Sequence, residues 1–422
     1  MSDTIFALSS GRPPAAIGVV RVSGPAATAA ARTLAGDLPE PRRAGLRPLR
    51  DGEGRVLDRA LLLVFPGPAS ATGEDLVELH LHGGRAVVAA VEAALEGQGL
   101  RRAEPGEFTR RALANGRIDL AQAEGLADLL AAETEAQRRA ATSAAEGLVG
   151  RIVRGWSDRL LHLSAAVEAA LDFADEDDVA VDVSDVGDGA AALRTEMAAV
   201  LAEPPVERLR DGVRVALAGP PNAGKSTLLN LLVQREAAIV SPVAGTTRDV
   251  IEASVVVQGV AYVLFDTAGL ADRTEDRIEA IGVERARAVQ RGADLVLWLG
   301  DEPPPPGRAL WVWARADESG RGDAPAGVDV VTRRDRPETV AALWRVIGER
   351  TGALLPTLSR PALNARARGH VAEAVAALEP DEDPLILAEG LRRARGALAR
   401  VTGEDATEAM LDALFGRFCI GK

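Results

Sequence analysis

Lysine and cysteine are almost absent from this chain. Of 49 lysines and arginines only Lys225 and Lys422 are lysines, and Cys419 is the single cysteine in 422 residues. One thiol excludes an internal disulfide and fits a reducing compartment. Aromatic residues make up 3% against 47% hydrophobic residues overall, so Ala, Leu and Val must build the cores, which favours helices over sandwiches. No apolar run approaches the ~20 residues needed to cross a bilayer, and the opening MSDTIFALSS lacks a basic stretch followed by an apolar core. The expectation is a cytoplasmic protein that makes no use of a membrane. Net charge of −13 excludes a surface coated in cations for nonspecific nucleic-acid binding, although Leu391–Arg400 and Asn364–Arg368 remain either local basic patches or solvated helix faces. The histidines His80, His82, His162 and His370 are too scattered for a metal cluster. His80 and His82 share one face of a strand-like run, read as a half-buried polar face.

What is present has three rhythms. Residues 1–118 alternate short β-like runs (AAIGVVRVSG, ALLLVFPG, DLVELHLHGG) with Gly and Pro punctuation and then an Ala-rich helical run, the pattern of a small α+β domain. From 119 to 210 helical periodicity takes over, with no proline between Asp119 and Phe173 and an acidic stretch, Asp172–Asp185, read as a loop. Between 211 and 352 strands such as VRVALAG, AYVLFDTAG and ADLVLWLG alternate with helical stretches, the signature of a mostly parallel sheet with crossover helices. Residues 353–422 return to Ala, Leu and Arg in helical spacing. The fold class expected is therefore an α/β P-loop domain inserted into an all-α helical domain, preceded by an α+β N-terminal domain.

GPPNAGKS, Gly219–Ser226, matches G-x-x-x-x-G-K-S between an apolar strand and the helical TLLNLL. In such a loop the main-chain amides around Asn222, Ala223, Gly224, Lys225, Ser226 and Thr227 cradle phosphates. Lys225 brings a compact ammonium to the β and γ oxygens, and the Ser226 hydroxyl ligates Mg2+. Arginine's planar fork is no substitute there, which explains why a chain that otherwise avoids lysine keeps one. Two further segments follow. One is Ala244–Asp249 (AGTTRD), whose Thr247 reaches Mg2+ and the γ-phosphate. The other is Asp266–Gly269 (DTAG), where Asp266 holds the metal's water shell and Gly269 senses the γ-phosphate, with Thr267 and Ala268 between them. Together these describe a switch-type GTPase.

GPPNAGKST, AAIVSPVAGTTRD, FDTAGL, IGVERA, FTRRALANGRIDLAQAEGLADL and the terminal FCIGK resemble the MnmE (TrmE) family of bacterial tRNA-modifying GTPases, over nearly the whole chain. That resemblance implies a folate-binding N-terminal domain, a helical domain in two stretches and an inserted G domain. It implies a K+ ion held by Asn222, Ser241, Val243 and Thr246, within a nucleotide-binding loop that also includes Pro242, Ala244 and Gly245. It points to Glu279 as the residue that orients the attacking water, with Glu275 as the alternative. It also implies a homodimer that assembles with an FAD-containing protein of the MnmG type into a heterotetramer acting on tRNA. The terminal tail reaches the dimer partner's N-terminal domain beside a site for 5-formyl- or 5,10-methylene-tetrahydrofolate, with Arg21, Glu78, Arg117 and Lys422 in the matching positions. A carboxylate suits the pterin's amide edge and cations suit the glutamate tail. Cys419 is then a catalytic or positioning thiol near a one-carbon donor, or a small buried hydrophobe. A prenylation box fits Gly421 and Lys422 badly.

The chain departs from the pattern where guanine is normally read by N-K-x-D: here ARAD, Ala314–Asp317, keeps only the carboxylate, and VTRRD, Val331–Asp335, is the nearest piece to the loop that follows. The expectation is GTP preference with weakened affinity. The alternative function is a ribosome-assembly-type or scaffold GTPase gated by nucleotide.

Overall fold

The computed structural model describes residues 3–172, 184–235, 251–266, 291–357, 361–381, 383–404, 407–416 and 418–421. They divide into two compact units, one gathering Met1–Leu130, Ser143–Ala190 and Ala377–Lys422, the other Ala131–Thr142 and Ala191–Ala376.

The first unit is organised by six strands: β1 (Ile5–Leu8), β2 (Ile17–Ser23), β3 (Gly45–Arg50), β4 (Val56–Phe65), β5 (Leu76–His82) and β6 (Arg101–Arg102), in spatial order β3-β4-β5-β2-β1-β6. All pairs are antiparallel except β1 with β6. Alternation along β2 and β5 sorts their side chains. Val20, Val22, Val77 and Leu79 are fully buried on one face against the helices Ala27–Ala35 and Arg85–Glu96. Arg21 and Glu78, directly opposite in register, occupy the other face with Ile5 and Ala7. Helix Glu107–Ala114 covers part of that second face through Phe108, which packs with Ile5, Ala7 and Ala103. Helix Leu148–Asp172 packs along Pro384–Thr402, whose start is fixed by Asp383: its carboxylate accepts from the Leu385 amide and Pro384 follows at the first helical position.

The second unit holds β7 (Val213–Ala218), β8 (Ile251–Val257), β9 (Val260–Asp266), β10 (Leu295–Trp298), β11 (Ala309–Trp313) and β12 (Val330–Val331), in order β12-β11-β10-β7-β9-β8. Only the β8–β9 pair is antiparallel. Its strands are apolar on both faces, as a mostly parallel sheet between helices requires: Val215, Leu217, Leu264, Leu297 and Leu310 are fully buried on one face, where helices Lys225–Arg235 and Pro337–Thr351 contribute Leu232 and Ile347, and Ala216, Ala218, Trp311 and Trp313 are buried on the other. This is the α/β arrangement that the strand–helix alternation predicts.

One buried ion cluster ties the N-terminal strand to the rest of the first unit. The Arg111 side chain is 1% exposed; its guanidinium donates to Asp3 at 2.9 Å, Glu74 at 3.0 Å and Glu107 at 3.1 Å. Arg101 joins Asp3 and Glu107 from the far side at 2.8 and 2.7 Å. Hydrogen bonding by Arg101 holds the Asp3 carboxyl below its usual range. Burial pushes the Glu107 carboxyl up, but Arg101, the Glu104 amide and Arg111 outweigh it, and its value too ends low. Removing the central cation takes from the largely buried Glu74 the cation it pairs with and leaves Glu107 to Arg101 alone, so Arg111→Met is expected to cost about 3–5 kcal/mol in a urea titration at pH 7. Because both carboxyls are lowered on folding, their contribution is fully present above about pH 5, beyond the unfolded values of both, and is lost as pH falls through the lowered values. The wild-type urea midpoint should therefore drop in acid, and an Arg101→Met midpoint that drops equally steeply over that range would refute this account.

Candidate functional site

At the carboxyl end of β7 the chain turns through Gly219–Gly224 into helix Lys225–Arg235, the place where parallel α/β sheets bind ligands. Gly224 must be glycine. Its φ is +93°, and a Cβ there would stand 2.9 Å from Cδ of Arg315. Asn222 also lies in the left-handed region, at φ +60°, where asparagine is among the best-tolerated side chains. Lys225 is 6% exposed and its ammonium donates to the carbonyls of Gly219 at 3.0 Å and Pro220 at 2.8 Å. The first turn of the helix presents Ser226 and Thr227 at the surface and buries Ala223 beneath the loop.

β9 runs parallel beside β7 with Asp266 opposite Leu217, so the Asp266 carboxylate, fully buried, meets the helix start and accepts a hydrogen bond from the Ser226 hydroxyl. A hydroxyl and a buried carboxylate at a helix N-terminus form the hard-oxygen set that suits Mg2+ beside phosphates.

On the other side of β7 lie β10, β11 and β12, and the loops after β11 and β12 meet. Asp317 Oδ1 accepts the Arg334 amide at 3.1 Å, and the Ala316 amide donates to Thr332 at 3.3 Å. VTRRD, which sequence left as merely the nearest piece, is therefore brought to the retained carboxylate. Ala314 is buried at the end of β11 and adds no polar side chain. Arg315 reaches across to the phosphate loop, its guanidinium donating to the Asn222 carbonyl. Of the remaining expected nucleotide residues, Ser241, Pro242, Val243, Ala244, Gly245, Thr246, Thr247, Thr267, Ala268, Gly269, Glu275 and Glu279 lie outside the described residues.

The first unit holds a second cluster. Arg21 donates twice to Glu78 Oε1, at 3.1 and 2.7 Å, while His80 Nε2 lies 3.3 Å from Oε2. Burial raises the Glu78 carboxyl, but the hydrogen bond and charge of Arg21, with His80 behind them, bring it below the usual glutamate range. Phe108 sits beneath the Arg21 guanidinium, 5.8 Å from ring centre. Arg117, three residues past helix Glu107–Ala114, is exposed, and its stem lies along Gly73. His80 and Phe108 were not among the expected site residues; the period-2 alternation of DLVELHLH already places His80 on the Glu78 face.

The chain's own tail docks beside this cluster. Helix Glu408–Phe415 packs on helix Glu107–Ala114, with Arg110 paired to Glu408 and, at 2.8 Å, to Asp412. Ile420 forms a β-bridge with Pro105, and Gly421, at φ +97°, approaches Leu8 and Ser9 so closely that a Cβ would lie 2.4 Å from the Leu8 carbonyl. Leu8 adjoins Ala7, the register partner of Arg21. Within this chain residues 418–421 rest on the N-terminal region, and helix Glu408–Phe415 is held there by Arg110 and by Phe415 and Phe418 packed with Ala123. Cys419 is exposed, which overturns the reading of a small buried hydrophobe, and Lys422 lies outside the described residues. Among the described residues no group of three metal-ligating side chains forms around the histidines, and no helix is long and apolar enough to cross a membrane.

The glycine-rich turn with its parked lysine, the buried strand-end carboxylate and the second carboxylate after β11 define a P-loop protein of the switch-GTPase class. Residues 4–117 match the GTP-binding protein TrmE N-terminus and residues 120–419 the MnmE helical domain. Proteins named tRNA modification GTPase MnmE are similar end to end: that of Erythrobacter litoralis is 55% identical over all of both chains, that of Novosphingobium aromaticivorans 53% over all of both, and that of Rhizorhabdus wittichii 54% over all of this chain and 97% of its own. The chain belongs to the MnmE family of tRNA modification GTPases.

With Cys419 exposed and no other cysteine in the chain, the native protein is expected to release one equivalent of thionitrobenzoate from Ellman's reagent without denaturant. A thiol that reacts only in guanidinium would refute the placement.

Proposed function

We propose that this chain is a GTP-hydrolysing enzyme of tRNA modification. The observation that carries the reading is the Ser226–Asp266 pair set beside Lys225 at the carboxyl ends of two parallel strands. In this reading the amides of Asn222–Thr227 hold the β-phosphate, and Lys225 exchanges the Gly219 and Pro220 carbonyls for phosphate oxygens. Ser226 and Thr247 would hold Mg2+, with Asp266 holding its water shell, and the ion would supply positive charge against the phosphates. Asn222, Ser241, Val243 and Thr246 would hold K+, which supplies positive charge where other GTPases use an arginine. Asp317 reads guanine, and Glu279 orients the attacking water. Thr267, Ala268 and Gly269 carry the switch.

The Arg21–Glu78 pair, Arg117, Lys422 and the docked tail with Cys419 form the second site of the proposal. There 5-formyl- or 5,10-methylene-tetrahydrofolate would supply the one-carbon unit for a carboxymethylaminomethyl-type group at the wobble uridine. Arg21 already orients Glu78 and keeps it ionised, as an acceptor for a pterin edge must be. The reading includes a cytoplasmic homodimer working with an FAD-containing partner of the MnmG type. It assigns folate binding to 1–118, the helical domain to 119–210 and 353–422, and the GTPase to 211–352. Buried Ala314, in place of an asparagine, favours the second reading of a nucleotide-gated scaffold. Hydrolysis decides between the two.

Lys225→Ala is expected to reduce GTP binding at least a hundredfold, and Glu279→Ala to retain binding while losing hydrolysis that is stimulated by KCl over NaCl. Isothermal titration and phosphate release check both, and equal turnover by Glu279→Ala would refute the assignment of the water-orienting residue. Unaltered wobble uridines by mass spectrometry in cells lacking the chain would end the tRNA reading.

A further inference from the structure

The loop after β11 carries a brace that the N-K-x-D pattern does not contain. Arg315 stands where that pattern has lysine, and its backbone is left-handed, at φ +63°, unusual for so bulky a side chain. Its stem lies against Gly224 and its guanidinium donates to the Asn222 carbonyl, so one side chain spans the base-side loop and the phosphate loop. A lysine in this place would need only that carbonyl. A guanidinium brings five donors in a rigid plane, and the surplus must find acceptors in a fixed orientation. Glu318 supplies them. Its two oxygens take Arg315 Nε, at 2.8 Å, and Nη2 in a fork-to-fork pair, and its amide donates to the Arg315 carbonyl at 3.0 Å, closing the turn. The hydrogen bond from Arg315 holds the Glu318 carboxyl below the usual glutamate range, with smaller help from the charges of Arg321 and Arg334. Arg321 is engaged elsewhere, paired with Asp301 at 2.6 Å and stacked 4.0 Å over the Trp313 ring. Glu318 is therefore the carboxylate that fixes the plane of Arg315.

We propose that Glu318 is a positioning residue for nucleotide binding: by clamping the Arg315 guanidinium it holds the Asn222 turn of the phosphate loop in its binding shape, which makes arginine workable where the pattern has lysine. The proposal rests on the guanine-nucleotide reading given above and goes beyond it, because Asp317, not Glu318, reads the base. It follows that Glu318 matters only while residue 315 is arginine.

The test is a double-mutant cycle on the full chain, reading the affinity and dissociation rate of a fluorescent GDP analogue in MgCl2 and KCl, with thermal unfolding as the control for folding. Glu318→Ala is expected to weaken binding about fivefold, the upper end for an exposed ion pair, mainly through faster dissociation. The preference for GDP over ADP should stay unchanged, since Asp317 is untouched. In the Arg315→Lys background the same Glu318→Ala change should alter affinity less than about twofold. Wild-type affinity in Glu318→Ala, or an equal fivefold loss with and without Arg315, would overturn the proposal while leaving the nucleotide reading intact. Failure of the wild-type chain to bind GDP at all would overturn the nucleotide reading itself.

Discussion

An ammonium resting on two main-chain carbonyls is the interaction from which the nucleotide site follows. The turn Gly219–Gly224 points amides at the space where phosphates belong, and amides aimed one way leave carbonyls aimed another. Lys225 covers those of Gly219 and Pro220 and thereby stabilises the turn. The same donors are what a polyphosphate accepts, so the loop needs little rearrangement to change partners. A preorganised cradle costs less ordering on binding than one assembled by its ligand. Around it the parallel sheet brings Asp266 to one side and the loops after β11 and β12 to the other, each at a strand's carboxyl end.

Elsewhere the chain solves its charge problems with guanidinium groups, and it does so in pairs and forks. Arg111 gathers three carboxylates in the first unit, Arg21 orients Glu78, and Arg315 couples two loops through Glu318. Each uses the planarity of the group, which fixes direction as well as charge. A chain with an acidic balance has carboxylates to spare for such pairs.

Much of this was legible in advance, for stated reasons. The runs AAIGVVRVSG, ALLLVFPG and DLVELHLHGG became β2, β4 and β5 because one face of each is buried and period-2 alternation survives. The P-loop was legible because its residues are adjacent in sequence. β3, GLRPLR, was not: it is an edge strand whose outer side needs no partner, so proline and arginine are tolerated and the apolar signature is lost. Nor was the Arg111 cluster, since Asp3 and Glu74 come from distant parts of the chain. CIGK named a family without saying which N-terminal domain the tail meets, since a docking site on the same chain and one on a second copy carry identical sequence. Arg315 was read as a lost lysine; its meaning depends on a left-handed backbone that no local pattern announces.

With just two lysines, one of them 6% exposed and turned inward onto carbonyls, the folded chain offers acylating enzymes and amine-seeking metabolites almost nothing to modify. Its arginines lie beyond the reach of acetyl transfer, and a regulator working by that chemistry on a side chain would have to act on Lys225 in the phosphate loop or on Lys422.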